Sequence, residues 1–351
     1  MATTYPPEFV VHDDLVKDLF GPTPRLELLH EDADCPFAHE AGVFHAETNS
    51  LFVTSNHFHD PDSQARRVRI SRIVLPDAHA DSDPDPGSDP DPDLARTRLL
   101  CEEIDAQHIP MANGAVNYNH GLLFCAQGDH HRPSSLVFMA AHPPHATHPV
   151  LTSFYGRPFN SLNDVVVHSD GSIWFTDPVY GFDAGFRPPP RLPCQVYRYD
   201  PARKSVRAMA DGFGRPNGIC FSPDEKTVYV TDTDWIHGDG TTDDFRVSHI
   251  YAFSLTLYAH EPFLTDKRLF AMADSGIPDG IKCDVHGNVY SGCGDGVNIW
   301  SPGGVLLGKI VVAGGVANFC FGRDGAVYLL NEHRLWRAQL ARGTRGALLG
   351  M

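Results

Sequence analysis

Six residues carry a side-chain oxygen at the start of an apolar run. Glu40 precedes Ala-Gly-Val-Phe, Asn113 precedes Gly-Ala-Val-Asn, and Asn163 precedes Asp-Val-Val-Val. Asn217 precedes Gly-Ile-Cys-Phe, Asp279 precedes Gly-Ile-Lys-Cys, and Asn318 precedes Phe-Cys-Phe. A turn residue follows seven positions later in five cases (Glu47, His120, Asp170, Asp224, His286), and Asp324 follows at six in the last. One Asn or Asp ahead of a strand is ordinary turn chemistry. Six in a common register, two acids among four amides, describe oxygens that converge. Carboxylate and amide oxygens together suit a hard divalent cation such as Ca²⁺. Without such a cation Glu40 and Asp279 would repel each other.

Such a set needs six equivalent strands around one axis, and the chain supplies them. Apolar strand cores recur at 50–54, 121–125, 171–175, 226–230, 287–290 and 325–329, each after a polar turn such as Ser169-Asp-Gly171 or Arg323-Asp-Gly325. A second strand candidate follows each, and no helical period is evident. Six repeats of about 40–70 residues, each a small meander, predict an all-β, six-bladed β-propeller rather than a pair of sandwiches. The first strand of each blade would line the channel, so the six residues would form a ring at one mouth. Arg25-Leu-Glu-Leu-Leu29 precedes the first repeat and would supply the outer strand of the last blade, which leaves no open edge. This divides the chain into an extension (1–24), one propeller (25–340) and a tail (341–351). An Asp/Pro-rich insertion occupies 77–95; its stretch 77–93 holds seven aspartates and four prolines, lacks EF-hand spacing and reads as a surface loop. Residues 235–247 form a second excursion, from the fourth blade.

The formal charge is −16. That field disfavours nucleic acid and anionic membranes and suits a neutral substrate or a cation. No signal-peptide pattern opens the chain and no run is long enough to span a membrane, so the expected location is the cytoplasm. Oligomeric state is left open. The eight cysteines have no C-x-x-C pair and read as reduced structural thiols, with zinc ligation as the alternative. The G-x-S-x-G elbow, the H-E-x-x-H helix and the dinucleotide fingerprint are all missing. His39 or the His130-His131 pair are candidate bases. Asp177 and Asp232, which end strands, suggest turn residues.

Four motifs, "HEAGVFHAETNSLFVTSN", "FNSLNDVVVHSDGSIWFTDPVYGF", "RPNGICFSPDEKTVYVTDT" and "IPDGIKCDVHGNVYSGCGDGVNIW", resemble the gluconolactonase/regucalcin (senescence-marker-protein-like) lactonases, and the similarity runs from about Leu26 to Leu340. The resemblance implies a six-bladed propeller with one axial divalent cation, usually Ca²⁺, with Mg²⁺, Mn²⁺ or Zn²⁺ as substitutes. It also implies a lactone as the small-molecule substrate. By motif, Glu40 takes the place of the first-blade glutamate ligand, Asn217 that of the asparagine ligand, and Asp279 that of the ligand and catalytic acid. Asn163 completes the metal shell or touches substrate, with Asn113 and Arg157 as further substrate-binding candidates. The first motif departs from the family's Glu-Gly-Pro by reading Glu-Ala-Gly. In the implied reaction the cation polarises the lactone carbonyl while Asp279 assists water attack. A non-hydrolytic propeller enzyme of a biosynthetic pathway and a calcium-binding protein without turnover are the competing readings.

Overall fold

The computed structural model describes residues 5–60, 64–76, 99–105 and 108–347. The aspartate-rich stretch 77–93 lies outside them. Six antiparallel sheets surround a central channel, and each is a meander running from an inner to an outer strand. The third blade shows the pattern: Val165–Val167, Ile173–Asp177, Gln195–Asp200 and Ser205–Ala210, with Trp174 opposite Val166 on one side and Arg198 on the other. Its turn is held by Asp170. Burial pushes the Asp170 carboxyl up, but hydrogen bonds from Ser172 and the Arg198 guanidinium (3.1 Å) outweigh this and hold it at about 2.

A carboxyl depressed on folding contributes stability above its unfolded pKa, and that contribution is lost as pH falls through the folded value. Asp170 is partly exposed, so Asp170→Asn is expected to cost only about 1 kcal/mol at pH 7. The gap between variant and wild type should shrink as pH falls from about 4 towards 2, measured by urea unfolding.

Second strands are buried along their whole length, as at Ser50–Thr54, Gly121–Ala126 and Val289–Cys293. Both faces of a blade pack on neighbouring blades, so these strands are apolar runs without alternation. Between blades 2 and 3, for example, Leu123 and Cys125 pack with Phe159, Phe175 and Tyr197, the last two rings stacked at 5.5 Å. Outer strands face solvent and carry charge, as in Glu261–Met272 of blade 4.

The ring closes as the sequence suggests. Arg25–Glu31 pairs antiparallel with Arg334–Gln339, so blade 6 takes its outer strand from near the amino terminus and three strands from near the carboxyl terminus. Phe9–Val11 adds a fifth strand to blade 5. The short helix Val16–Phe20 follows, and its Leu19 carbonyl accepts from the Ala341 amide (3.0 Å) and the Thr344 hydroxyl (2.9 Å). Among the described residues no helix is long and apolar enough to cross a membrane. All eight cysteines are unpaired.

Glycine follows three ring residues for a packing reason. A Cβ on Gly114 would lie 2.6 Å from the Asn163 carbonyl oxygen, one on Gly218 2.5 Å from the Asp279 carbonyl oxygen, and one on Gly280 2.4 Å from the Asn318 side chain. Each glycine therefore lets the next blade's ring residue approach the axis. Gly218→Ala is expected to lower stability by about 2 kcal/mol through overpacking against backbone, read from the urea midpoint.

Candidate functional site

Each ring residue stands where its inner strand begins, and three of the strands are bulged there, the second blade's between Ala112 and Ala115. The register shifts between Glu40 and Val43, and again between Pro216 and Ile219. In the first blade Ala41 and Gly42 have φ of 65° and 61°, so the Glu-Ala-Gly departure places a non-glycine residue in the left-handed region, a conformation that costs alanine roughly 1 kcal/mol. Glu40 remains buried at the axis.

A repeated device fixes these positions. The Thr54 hydroxyl donates to the Asn113 carbonyl (3.1 Å), Thr176 to that of Asn217 (2.7 Å), and Thr231 to that of Asp279 (3.0 Å). Each threonine lies on the second strand of one blade and holds the ring residue of the next. The aspartates that follow two of them are not turn residues. Asp177 is buried and accepts from the amides of Asn160 (3.0 Å) and Ser161 (2.8 Å). Asp232 accepts from those of Gly214 (3.0 Å) and Arg215 (2.8 Å). They anchor the loops that lead into Asn163 and Asn217, because buried amides in irregular segments need acceptors.

Glu40, Asn113, Asn163, Asn217 and Asp279 line one cavity of about 390 Å³. Asn318 lies beside it, fully buried, and its Nδ2 donates to Glu40 Oε2 at 2.7 Å. Arg157 is elsewhere. It sits exposed on a turn before blade 3 and its guanidinium donates to the Arg191 carbonyl, so it does not reach the cavity. His130 is exposed and contacts the Gly185 carbonyl (3.2 Å), and His131 does not line the cavity either. His39 does line it, and its Nδ1 lies 2.6 Å from Glu332 Oε1. Burial opposes charge on that ring, but the Glu332 carboxylate outweighs it and raises the imidazole to about 10.

Two ring carboxylates and three ring amides thus face one space, with Asp239, Asn56 and Gln127 also on its wall, and the electrostatics are unbalanced. Burial raises the Glu40 carboxyl, with the His39 charge opposing, and burial together with Glu40 raises Asp279 well above the usual range. Asn163 Oδ1 and Asp279 Oδ1 are both buried without a hydrogen-bond partner among the described residues. An orphaned buried acceptor costs roughly 1–3 kcal/mol, so two in one cavity mark a place for a ligand. Among the described residues no three His, Cys, Asp or Glu gather to hold a metal. The available donors are carboxylate and amide oxygens, which fit a hard cation and not a soft one.

Sequence patterns did not identify the cavity's outer wall. Tyr180 and Phe186 come from the segment after blade 3's second strand, Ile236 to Gly240 from the fourth-blade excursion, and Val68 from the first blade. Among the described residues no lysine or arginine lines this cavity.

A family model described as SMP-30/Gluconolactonase/LRE-like region matches residues 102–330. A lactonohydrolase of Aspergillus oryzae, oryL, is 28% identical over 335 residues, covering 90% of this chain and 70% of that protein. A gluconolactonase of Zymomonas mobilis is 30% identical over 208 residues, covering 54% of this chain and about half (53%) of that relative. Among solved structures, a gluconolactonase of Xanthomonas campestris superposes with a TM-score of 0.70 at 24% identity, covering 95% of this chain and 94% of that one. A regucalcin of Agrobacterium tumefaciens, described as a calcium-binding protein, gives 0.59 at 15% identity over 92% of this chain and 96% of its own. At these identities the superpositions establish a shared fold.

Proposed function

The chain belongs to the SMP-30/gluconolactonase/LRE-like family, and on that premise we propose that it hydrolyses a neutral lactone to the hydroxy acid with the help of one divalent cation, Ca²⁺ by preference. Glu40, Asn163, Asn217 and Asp279 would hold that cation. The observation that carries the reading is the pair of unpartnered oxygens, Asn163 Oδ1 and Asp279 Oδ1, in one cavity with Glu40. The relatives named lactonohydrolase and gluconolactonase support the reaction class.

When bound, the cation supplies Lewis-acid polarisation of the lactone carbonyl and compensates the two buried carboxylates. The chain's own groups do the rest. Asn318 and the threonine hydroxyls hold Glu40 and the ring backbones in place, so little reorganisation accompanies binding. Asp279 would take a proton from the attacking water with the carboxylate oxygen not given to the cation, and return it to the ring oxygen that leaves. His39, held by Glu332, puts a positive charge beside Glu40. Asn113, amide-bearing and on the same wall, orients substrate hydroxyl or carbonyl groups.

The substrate's charge follows from the lining. Among the described residues the cavity has no lysine or arginine, its cationic His39 is already held by Glu332, and the net charge is −16, so an anionic lactone finds no free cationic side chain to offset its desolvation. A phosphorylated or carboxylated lactone is expected to show kcat/KM at least about tenfold below its neutral counterpart.

Proton release from a panel of neutral aldono-, alkyl- and aryl-lactones tests the proposal. Turnover should vanish on chelation and return with Ca²⁺. Hydrolysis indifferent to chelation, or none across the panel, would remove it.

A further inference from the structure

The far end of the channel has no role in the reaction above. There a smaller cavity of about 100 Å³ is lined by inner-strand residues from all six blades. Three of them are cysteines, Cys220 of blade 4, Cys283 of blade 5 and Cys320 of blade 6, and the first two have their Sγ atoms 3.8 Å apart. Both are nearly inaccessible (6% and 4%) and pack with Tyr229, Ile250 and Val289 in the core between these blades. They come from different repeats, 63 residues apart, yet stand at similar positions after Asn217 and Asp279.

We propose that Cys220 and Cys283 form a dithiol site that a two-electron oxidant such as hydrogen peroxide closes to a disulfide, joining blade 4 to blade 5. One thiolate attacks the peroxide, giving a sulfenic acid and one water. The second thiol displaces the sulfenic oxygen, forming the S–S bond and releasing a second water. Two thiols are oxidised and one peroxide is reduced. Closing from van der Waals contact to a bond of about 2.05 Å needs side-chain rotation and a small approach of the two strands. The cavity beside the pair admits an oxidant as small as peroxide. Because these strands begin at Asn217 and Asp279, the bond would fix the spacing of two proposed cation ligands. That consequence rests on the preceding reading of the site, whereas bond formation does not.

The test uses the full chain carrying Cys101→Ser and Cys194→Ser, which removes the two less buried thiols. After peroxide treatment the protein is denatured, alkylated, digested and mapped by mass. The expected result is one cross-linked peptide pair containing Cys220 and Cys283, two hydrogens lighter than the sum of its parts and separated by dithiothreitol. In Cys283→Ala the pair should disappear and Cys220 should become alkylatable. Alkylation of both cysteines after peroxide, their conversion to sulfinic acids, or bonding of either to a different cysteine would overturn the proposal. The map of the parent protein decides this even where Cys283→Ala does not fold. An inactive protein that still forms the bond would refute only the lactonase reading.

Discussion

Asp279→Asn should reduce kcat/KM for lactone hydrolysis by about 10³-fold or more while leaving the fold intact. The side chain is isosteric, and its carbonyl still accepts from Thr231 and its amide still donates to the Gly292 carbonyl. What disappears is a negative charge and a proton acceptor. Loss of a positioned general base alone costs about 10²–10⁴, and weaker cation binding adds to it. The same substitution is expected to stabilise the cation-free protein by about 1 kcal/mol, since it removes a carboxylate that burial and the neighbouring Glu40 push well above its usual range. Opposite signs for activity and stability are the mark of a functional site. A purely structural Asp279 would show both falling together. Urea unfolding in EDTA, paired with initial rates in Ca²⁺, separates the two.

Removing the cation is the second large effect. A ligand that binds only the folded state at 100 times its Kd adds about 2.7 kcal/mol to stability. Wild-type protein should therefore melt several degrees higher in excess Ca²⁺ than in EDTA, and lose hydrolysis in EDTA altogether. Glu40→Gln should abolish most of that Ca²⁺-dependent rise. Its amide can still accept from Asn318 but contributes no charge. Mg²⁺, which demands near-octahedral geometry and dehydrates reluctantly, should give a smaller rise. A melting curve indifferent to Ca²⁺ in the wild type, or unchanged in Glu40→Gln, would leave the orphaned oxygens unexplained.

The architecture was legible because it repeats. Six strand starts in one register announce equivalent positions around an axis, and the apolar second strands announce blades covered on both faces. The closing strand could be found as an unpaired apolar-alternating segment, Arg25-Leu-Glu-Leu-Leu29, ahead of the first repeat. Five of the ring residues share the cavity for the same reason. Arg157 failed because proximity in sequence to Asn163 says nothing about direction: the intervening segment turns, and the guanidinium meets the Arg191 carbonyl. Asp177 and Asp232 looked like turn residues because each ends a strand, but their partners, loop amides 16 to 18 residues earlier, have no periodic signal. The threonines that precede them did leave one, in the recurring Val-Thr-Ser, Phe-Thr-Asp and Val-Thr-Asp triplets. The cavity wall formed by Tyr180, Phe186 and Ile236 was out of reach, since irregular loops carry no period from which a direction can be read.

Calorimetric titration of EDTA-stripped protein with Ca²⁺ addresses the shared site without reference to any substrate. One equivalent is expected for the wild type, with affinity lost in Glu40→Gln and Asp279→Asn and weakened in Asn163→Ala and Asn217→Ala. Binding that survives all four substitutions, or no binding by the wild-type chain, would contradict a single ion held in common by these residues.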